Sequence, residues 1–360
     1  SYLDSIEYQD IQKSTIGEFG GIGIEIEIHP EYILIVRIIE SSPAARTEMK
    51  KGDKIYLVNG ESVANKTKVE ARTMLSGPIG ENIELTIEQA NNKNRIIINV
   101  KREIIKTDSH EYQFIGPHFG LVKISSFHED TVKSVTAAIE QLIKKSSHRK
   151  LKGLVLDLRN NPGGLLDAAI GIVDLFISKG TIVSTDTRDK AQRDSFKAHN
   201  FDILKGAPLV VLVNGASASG SEIVAGALQD HKRAVIVGER TFGKGSVQNI
   251  IMLEDQVTAL KLTTSRYFTP LGRSIQARGI TPDIKILASS KSKLVDEKKN
   301  ISRELELQGH IENNTSKENL SDEYQALNAI ITKSANTDIQ LYTALSLLKG
   351  LSVLDDKRSK

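Results

Sequence analysis

The chain has no cysteine and no tryptophan, and aromatic residues make up only 5% of its 360 positions. Without cysteine there can be no disulfide, no zinc-thiolate site and no thiol nucleophile, although this alone does not locate the protein. No apolar run approaches the roughly 18 residues needed to span a bilayer. The N-terminus lacks the charged-then-apolar pattern of a signal peptide, and the chain begins at Ser1 without methionine, which reads as a mature or trimmed form. The formal charge of +3 comes from mixed signs with no long basic block. With no tryptophan for base stacking either, nucleic-acid binding has little support.

What is present points to two or three domains, since 360 residues exceed one ordinary domain and 39% hydrophobic with 26% charged is a soluble, core-forming balance. Residues 1–18 are polar. From Phe19 to about Arg102 a β-rich unit is expected: Gly20-Gly-Ile-Gly-Ile-Glu-Ile-Glu-Ile28 alternates like a half-buried strand directly after a glycine-rich loop. Ser42-Pro-Ala-Ala45 opens a short helix, Lys51 to Gly60 reads as turn, strand and hairpin turn, Val69 to Leu75 as helix, and Ile96 to Val100 as the closing strand. From Phe119 the grammar becomes βαβ: strand Gly120–Ile124, helix Thr131–Lys145, strand Gly153–Leu158 and helix Leu165–Ser178. The continuous apolar runs Leu209–Val213 and Ala234–Val237, on either side of a helix Glu222–Gln229, predict strands buried on both faces. Residues 289–323 read as a polar, lysine-rich linker. Beyond it Leu341, Leu345 and Leu348 share a helical face that should dock on the core or on a second subunit.

Ser219, in Asn214-Gly-Ala-Ser-Ala-Ser-Gly-Ser-Glu222, and Lys244, in Thr241-Phe-Gly-Lys-Gly-Ser-Val-Gln248, stand 25 positions apart. A serine hydroxyl needs a base to become a nucleophile, and a lysine serves only if its proton is driven off. Phe242 and Val247 offer apolar cover for that, Gly243 and Gly245 permit close backbone approach, and Gln248 could hold the amine in place. Ser219 also falls between a strand's carboxyl end and a helix start, where amides point outward and an oxyanion can be held.

These motifs, with Ser14-Thr-Ile-Gly-Glu-Phe-Gly-Gly-Ile-Gly-Ile24, Gly153-Leu-Val-Leu-Asp-Leu-Arg-Asn-Asn-Pro-Gly-Gly164, Ala225-Gly-Ala-Leu-Gln-Asp230 and Gly279-Ile-Thr-Pro-Asp283, give a chain that resembles the carboxyl-terminal processing peptidases, serine peptidases of family S41 with an embedded PDZ domain. The resemblance implies an α/β fold: a crotonase-like protease core at 105–288, an inserted β-rich PDZ domain at 19–104, an N-terminal segment at 1–18 packing on the core, and a linker with a helical segment at 289–360. It makes Ser219 the nucleophile, Lys244 the general base and Gln248 the orienting third member, with Ser217 and Ser221 as bystanders. The oxyanion donors fall at Gly220, Gly163 and Gly164, and the loop Gly20, Gly21, Ile22, Gly23 and Ile24 captures a substrate's terminal carboxylate. Gly220 departs from the alanine usual in similar chains, but the backbone amide is kept. The resemblance further implies no cofactor, protein or peptide substrates with free apolar C-termini, a possible homodimer, peripheral envelope association, and a periplasmic or other extracytoplasmic bacterial location.

Other readings compete. Gly238-Glu-Arg-Thr-Phe-Gly-Lys244 matches the phosphate-cradling pattern G-x-x-x-x-G-K after a strand, though Gly245 replaces the Ser or Thr that binds magnesium. His231 beside Asp230 invites a Ser-His-Asp triad, although neighbours on one segment seldom point at one site. Asp157 and Asp230 read as structural carboxylates, Asp157 paired with Arg159. A PDZ peptide-binding protein without catalysis would keep the glycine loop but have no reason to keep Ser219 and Lys244 together.

Overall fold

The computed structural model describes residues 1–91, 93–106, 109–116, 118–146, 149–187, 194–199, 201–288 and 322–358. They fall into two compact units, one of Leu3–Asp108 with Glu254–Ala259, the other of Ser1–Tyr2, Ser109–Leu253 and Leu260–Lys360. After β1 (Tyr2–Leu3) and α1 (Ser5–Ile16), the smaller unit runs through β2 (Glu18–Gly21), β3 (Ile24–Ile28), β4 (Ile33–Ile38), a 3₁₀ turn (Ala44–Arg46), β5 (Lys54–Val58), β6 (Glu61–Ser62), α2 (Lys68–Leu75), β7 (Asn82–Glu88), β8 (Arg95–Lys101) and β9 (Glu103–Lys106). Strands β3-β4-β5-β7-β8 form an antiparallel sheet in that order, and β2 pairs with β9. Ile33, Ile35, Ile55, Ile83, Leu85 and Ile87 fill its interior. The start of α2 is closed by a capping box, Thr67 N donating to Glu70 at 2.7 Å and Glu70 N to Thr67 Oγ1 at 3.3 Å.

The run expected as one strand from Gly20 to Ile28 is two. Ile22 turns into the core and Gly23 stands at φ +80°, where a Cβ would lie 2.2 Å from that of Ser42. The short helix expected from Ser42 is a 3₁₀ turn that begins two residues later, and the Ser42 hydroxyl accepts from Ala45 N and donates to Gly23 O, both at 3.3 Å.

The larger unit holds β10 (His110–Ile115), β11 (Phe119–Ile124), α3 (Thr131–Lys145), β12 (Gly153–Asp157), α4 (Leu166–Asp174), β13 (Thr181–Thr187), β14 (Ser195–Lys197), β15 (Leu209–Val213), α5 (Gly220–Asp230), β16 (Val235–Gly238), β17 (Ser246–Met252), β18 (Ala259–Phe268), β19 (Ile284–Lys285), α6 (Asp322–Thr337) and α7 (Ile339–Arg358). Its main sheet has the order β10-β11-β12-β15-β16-β19, parallel except for β10. A second sheet carries β18-β13-β14, with β17 beside β18.

Every residue of β12 and β15 is buried, and the period-2 alternation of strand side chains shows why both need unbroken apolar runs. Leu154, Leu156, Leu209, Val211 and Val213 pack with residues of α3, α4 and α5. Val155, Val210 and Leu212 pack instead with Leu327 and Ile331 of α6 and with Leu345 and Leu348 of α7. Helix α3 presents Val135, Ala138, Ile139 and Leu142 at helical spacing to its side of the sheet. The expected linker at 289–323 lies outside the described residues up to Ser321.

Past the end of β12, Arg159 ties the sheet to α7. Its Nη2 donates to Asp157 at 2.6 Å and to Asp338 at 2.8 Å, and its Nη1 to Gln340 at 3.1 Å. Burial works against the charge on Asp338, but the hydrogen bond and field of Arg159 outweigh it and hold that carboxyl below its usual range. Arg159→Met leaves the buried Asp157 unpaired and should cost about 3 kcal/mol at neutral pH. Asp338 contributes above the ordinary carboxylate pKa of about 3.9 and loses its share as pH falls through its lowered value. Melting curves should therefore show the gap between parent and variant closing below about pH 4.

Candidate active site

Ser219 is the residue before the first turn of α5, at φ 52° and ψ −111°. A non-glycine residue with positive φ is strained and persists only when its surroundings over-determine it. Here they do so through a neighbouring turn. The carbonyl of the buried Asn161 accepts from Ala218 N and from Ser221 Oγ, each at 3.0 Å, while Asn161 Nδ2 donates to Ile124 O at 3.0 Å. Ser217 Oγ donates to Leu158 O at 2.8 Å. Ser217 and Ser221, both fully buried, are thus the staples of the serine turn.

Lys244 is brought to this turn by one carboxylate. Glu222, on the first turn of α5 and fully buried, accepts from Ser219 N (2.9 Å) and Lys244 N (2.8 Å) on Oε2, and from Gly243 N (2.6 Å) and Thr241 Oγ1 (2.5 Å) on Oε1. Four donors and the helix's N-terminal dipole offset the cost of burying it. Behind the loop, Ala277 N donates to Gly243 O at 2.8 Å, and Gly245 lies so close to Gln276 that a Cβ would come within 2.4 Å of its nitrogen. Two residues with expected roles in chemistry are therefore fixed, at the backbone, to the same oxygen, Oε2. Sequence reasoning missed Glu222, although Ser219-Gly-Ser-Glu222 is a serine followed three places on by a glutamate, the capping-box pattern.

The expected oxyanion residues surround Ser219 unequally. Gly163 would press a Cβ to 2.8 Å from that of Ser219, but its amide is taken, donating to Asn161 Oδ1 at 2.8 Å. The amides of Gly164 and Gly220 carry no hydrogen bond among the described residues. A Cβ on Gly164, at φ +145°, would meet Phe127 O at 2.2 Å. At Gly220 it would come within 2.9 Å of the Phe127 ring and 3.2 Å of Ala169, so glycine here leaves room for the phenyl group.

Other expectations need correction. Phe242 gives no apolar cover, being 69% exposed, whereas Val247 does pack on the core. Gln248 lies exposed on β17, and neither its amide nor Lys244 Nζ has a hydrogen-bond partner among the described residues. Asp157 and Asp230 are ion-paired as expected of structural carboxylates, with Arg159 and Arg273 respectively. His231 stands at the far end of α5, roughly 18 Å of helix rise from Ser219, with Nε2 2.6 Å from Thr181 O. The phosphate-loop reading fails because Glu222 already holds the amides of Gly243 and Lys244, and strand β17 rather than a helix follows.

In the smaller unit, Ile22 of the Gly20–Ile24 loop is core rather than groove: 2% exposed, with its carbonyl accepting from Ala44 N at 2.9 Å. Gly20 admits no side chain, since a Cβ would lie 2.6 Å from Gly77 O. β3 pairs with β4 on one side and ends the sheet on the other. Glycine-rich loop, free strand edge and a core-facing helix α2 define a peptide-binding module. The strained serine, the glycines beside it and the anchored lysine loop lie together in the other unit.

Comparison with known proteins agrees. Residues 118–286 match the family model described as peptidase family S41, and residues 10–88 that of a PDZ domain. A carboxy-terminal-processing protease of Bartonella bacilliformis is 42% identical over 350 residues, 97% of this chain and 79% of that protein. The carboxy-terminal processing protease CtpA of Bacillus subtilis is 35% identical over 79% of this chain and 60% of its own length. Among solved structures, a photosystem II D1 C-terminal processing protease superposes with a TM-score of 0.51 at 28% identity, covering 79% of this chain and 77% of that one. The chain belongs to peptidase family S41 and carries a PDZ domain; it is an enzyme, a serine-type peptidase.

Glu222→Gln replaces one acceptor oxygen with an NH2 group facing two N–H donors, and Glu222→Asp falls a methylene short. Both should lower kcat per folded molecule about 100-fold, since misplacing a catalytic group by about 1 Å costs that much. Initial rates normalised to the folded fraction, read from circular dichroism, check this; full kcat in either variant removes the carboxylate from the machinery.

Proposed function

We propose that the chain is an ATP-independent endopeptidase that cleaves proteins near their C-termini with a Ser219/Lys244 dyad on a crotonase-like core. The observation that carries this reading is Glu222, which binds the backbone amides of both residues. In the reaction the Ser219 hydroxyl attacks the scissile carbonyl as its proton passes to the neutral Lys244 amine. The oxyanion takes the free amides of Gly220 and Gly164. The lysine ammonium then protonates the leaving amine; the lysine, neutral again, deprotonates a water that attacks the acyl-serine ester, and returns that proton to Ser219 Oγ as the acyl–oxygen bond breaks and the acid leaves. Gln248 serves as the orienting carboxamide once β17 turns it toward the ammonium. The reaction needs no cofactor.

The PDZ unit supplies recognition. A substrate's extended C-terminus adds to the edge of β3, its carboxylate held by amides of the Gly20–Ile24 loop and its apolar side chains beside Ile24 and Ile26. Peptide binding regulates turnover only by its differential affinity for the active and inactive forms. The family reading also supports bacterial, extracytoplasmic placement; among the described residues no helix is long and apolar enough to cross a membrane.

Ser219→Ala and Lys244→Ala should each lower turnover about 10⁴-fold or more. Retained turnover in either variant sinks the dyad. Parent cleavage of a substrate with a free C-terminal carboxylate should exceed that of its C-terminal amide at least tenfold; equal rates eliminate carboxylate sensing while leaving the dyad intact.

A further inference from the structure

The larger unit contains a cavity of about 640 Å³ whose lining includes the four arginines Arg240, Arg266, Arg273 and Arg278 and no acidic residue. Among the described residues only Arg273 of the four has an ion pair, with Asp230, and it also donates to Gln229 at 2.9 Å. Arg240 Nε donates to the carbonyl of Arg278. The guanidinium groups of Arg266 and Arg278 make no ion pair or hydrogen bond among the described residues. Asp186 stands opposite Arg266 in the β13–β18 register without pairing with it. Four positive groups around one concavity repel one another, so the arrangement is poised for an occupant carrying several oxyanions, which guanidinium forks grip in plane.

Two features favour a polypeptide occupant over a small phosphate compound. Leu271 and Phe242, at 73% and 69% the two most exposed large apolar side chains among the described residues, lie in the segments that carry Arg273 and Arg240. A surface pairing apolar with cationic groups fits a chain with both apolar and acidic side chains. The cavity wall is also continuous with the lysine loop, because Ala277 N donates to Gly243 O at 2.8 Å and the Arg278 nitrogen lies where a Cβ on Gly243 would meet it at 3.1 Å.

We infer that this arginine-lined cavity is an exosite for an acidic, apolar-flanked segment of the polypeptide substrate, distinct from the capture of the C-terminal carboxylate. The inference rests on the reading of the chain as a peptidase that takes up polypeptide, but its test needs no turnover. Full-length Ser219→Ala protein is titrated with two fluorescent peptides, both C-terminally amidated to leave out carboxylate capture. They differ only in Asp and Glu against Asn and Gln. Exposed ion pairs are each worth up to about fivefold in affinity, so the acidic peptide should bind about tenfold tighter or more. The preference should shrink at about 1 M salt, where the Debye length falls to about 3 Å, and vanish in Ser219→Ala carrying Arg266→Gln and Arg278→Gln. Arg266→Gln and Arg278→Gln in the parent should leave the melting temperature and cleavage of an uncharged peptide unchanged. Equal binding of the two peptides overturns the exosite, as does a preference that survives the double arginine change. Inorganic tripolyphosphate binding tighter than the acidic peptide, and lost in the arginine variant, also overturns it and assigns the cavity to a phosphate ligand.

Discussion

The placing of the serine turn against the lysine loop depends on one buried carboxylate. Glu222 takes donors from the serine turn on one oxygen and from the lysine loop on both, so the relative position of the two segments is set by the geometry of a single planar group. A charged-group hydrogen bond contributes about 1.5–3 kcal/mol. One of the four falls on Ser219 N and helps to hold a backbone conformation that the residue would otherwise leave, and the other three hold the lysine loop. The helix contributes as well, because an acidic group on the first turn of α5 lies where unsatisfied amides and the axial dipole favour negative charge.

What Glu222 does not fix is equally informative. Its bonds reach Lys244 only at the amide, and the chain leaves the buried region within a few residues: from Gln248 to Met252 every residue of β17 is exposed. The lysine side chain and Gln248 can therefore change rotamer or strand position without breaking the carboxylate's bonds. The serine turn is held by buried bonds while the Lys244 and Gln248 side chains stay adjustable, so the proposed dyad can be assembled by moving a surface strand while the buried centre stays as it is.

Much of this was legible in the chain. Helix α3 and strand β15 stand at the residues their patterns indicate, because a one-sided apolar stripe and a fully apolar run each admit one solution. Strand β7 has no distinct signal between its neighbours, and Phe242 faces solvent where its residue type suggests cover, since short-range pattern carries no information on which side of a loop is closed by distant residues. Asn161 and Glu222 escaped for the same reason. Their partners lie up to 60 positions away, as with Asn161 and Ser221. Only the serine-to-glutamate spacing at the start of α5 left a local trace.

The glycine-rich stretch ending at Lys244 shows how such a trace is decided. By residue type it is equally a cradle for phosphate or a loop presenting a lysine, because both need small residues and backbone N–H groups turned inward. The difference lies in what accepts from those N–H groups. With Gly243 N and Lys244 N on Glu222, an incoming phosphate would meet a buried negative charge at the place where it needs donors, and like charges held a few ångströms apart in a low-dielectric interior repel strongly. The same carboxylate that anchors the lysine loop to the serine turn excludes the nucleotide reading, and both consequences follow from the single choice of an acidic residue three places after the serine.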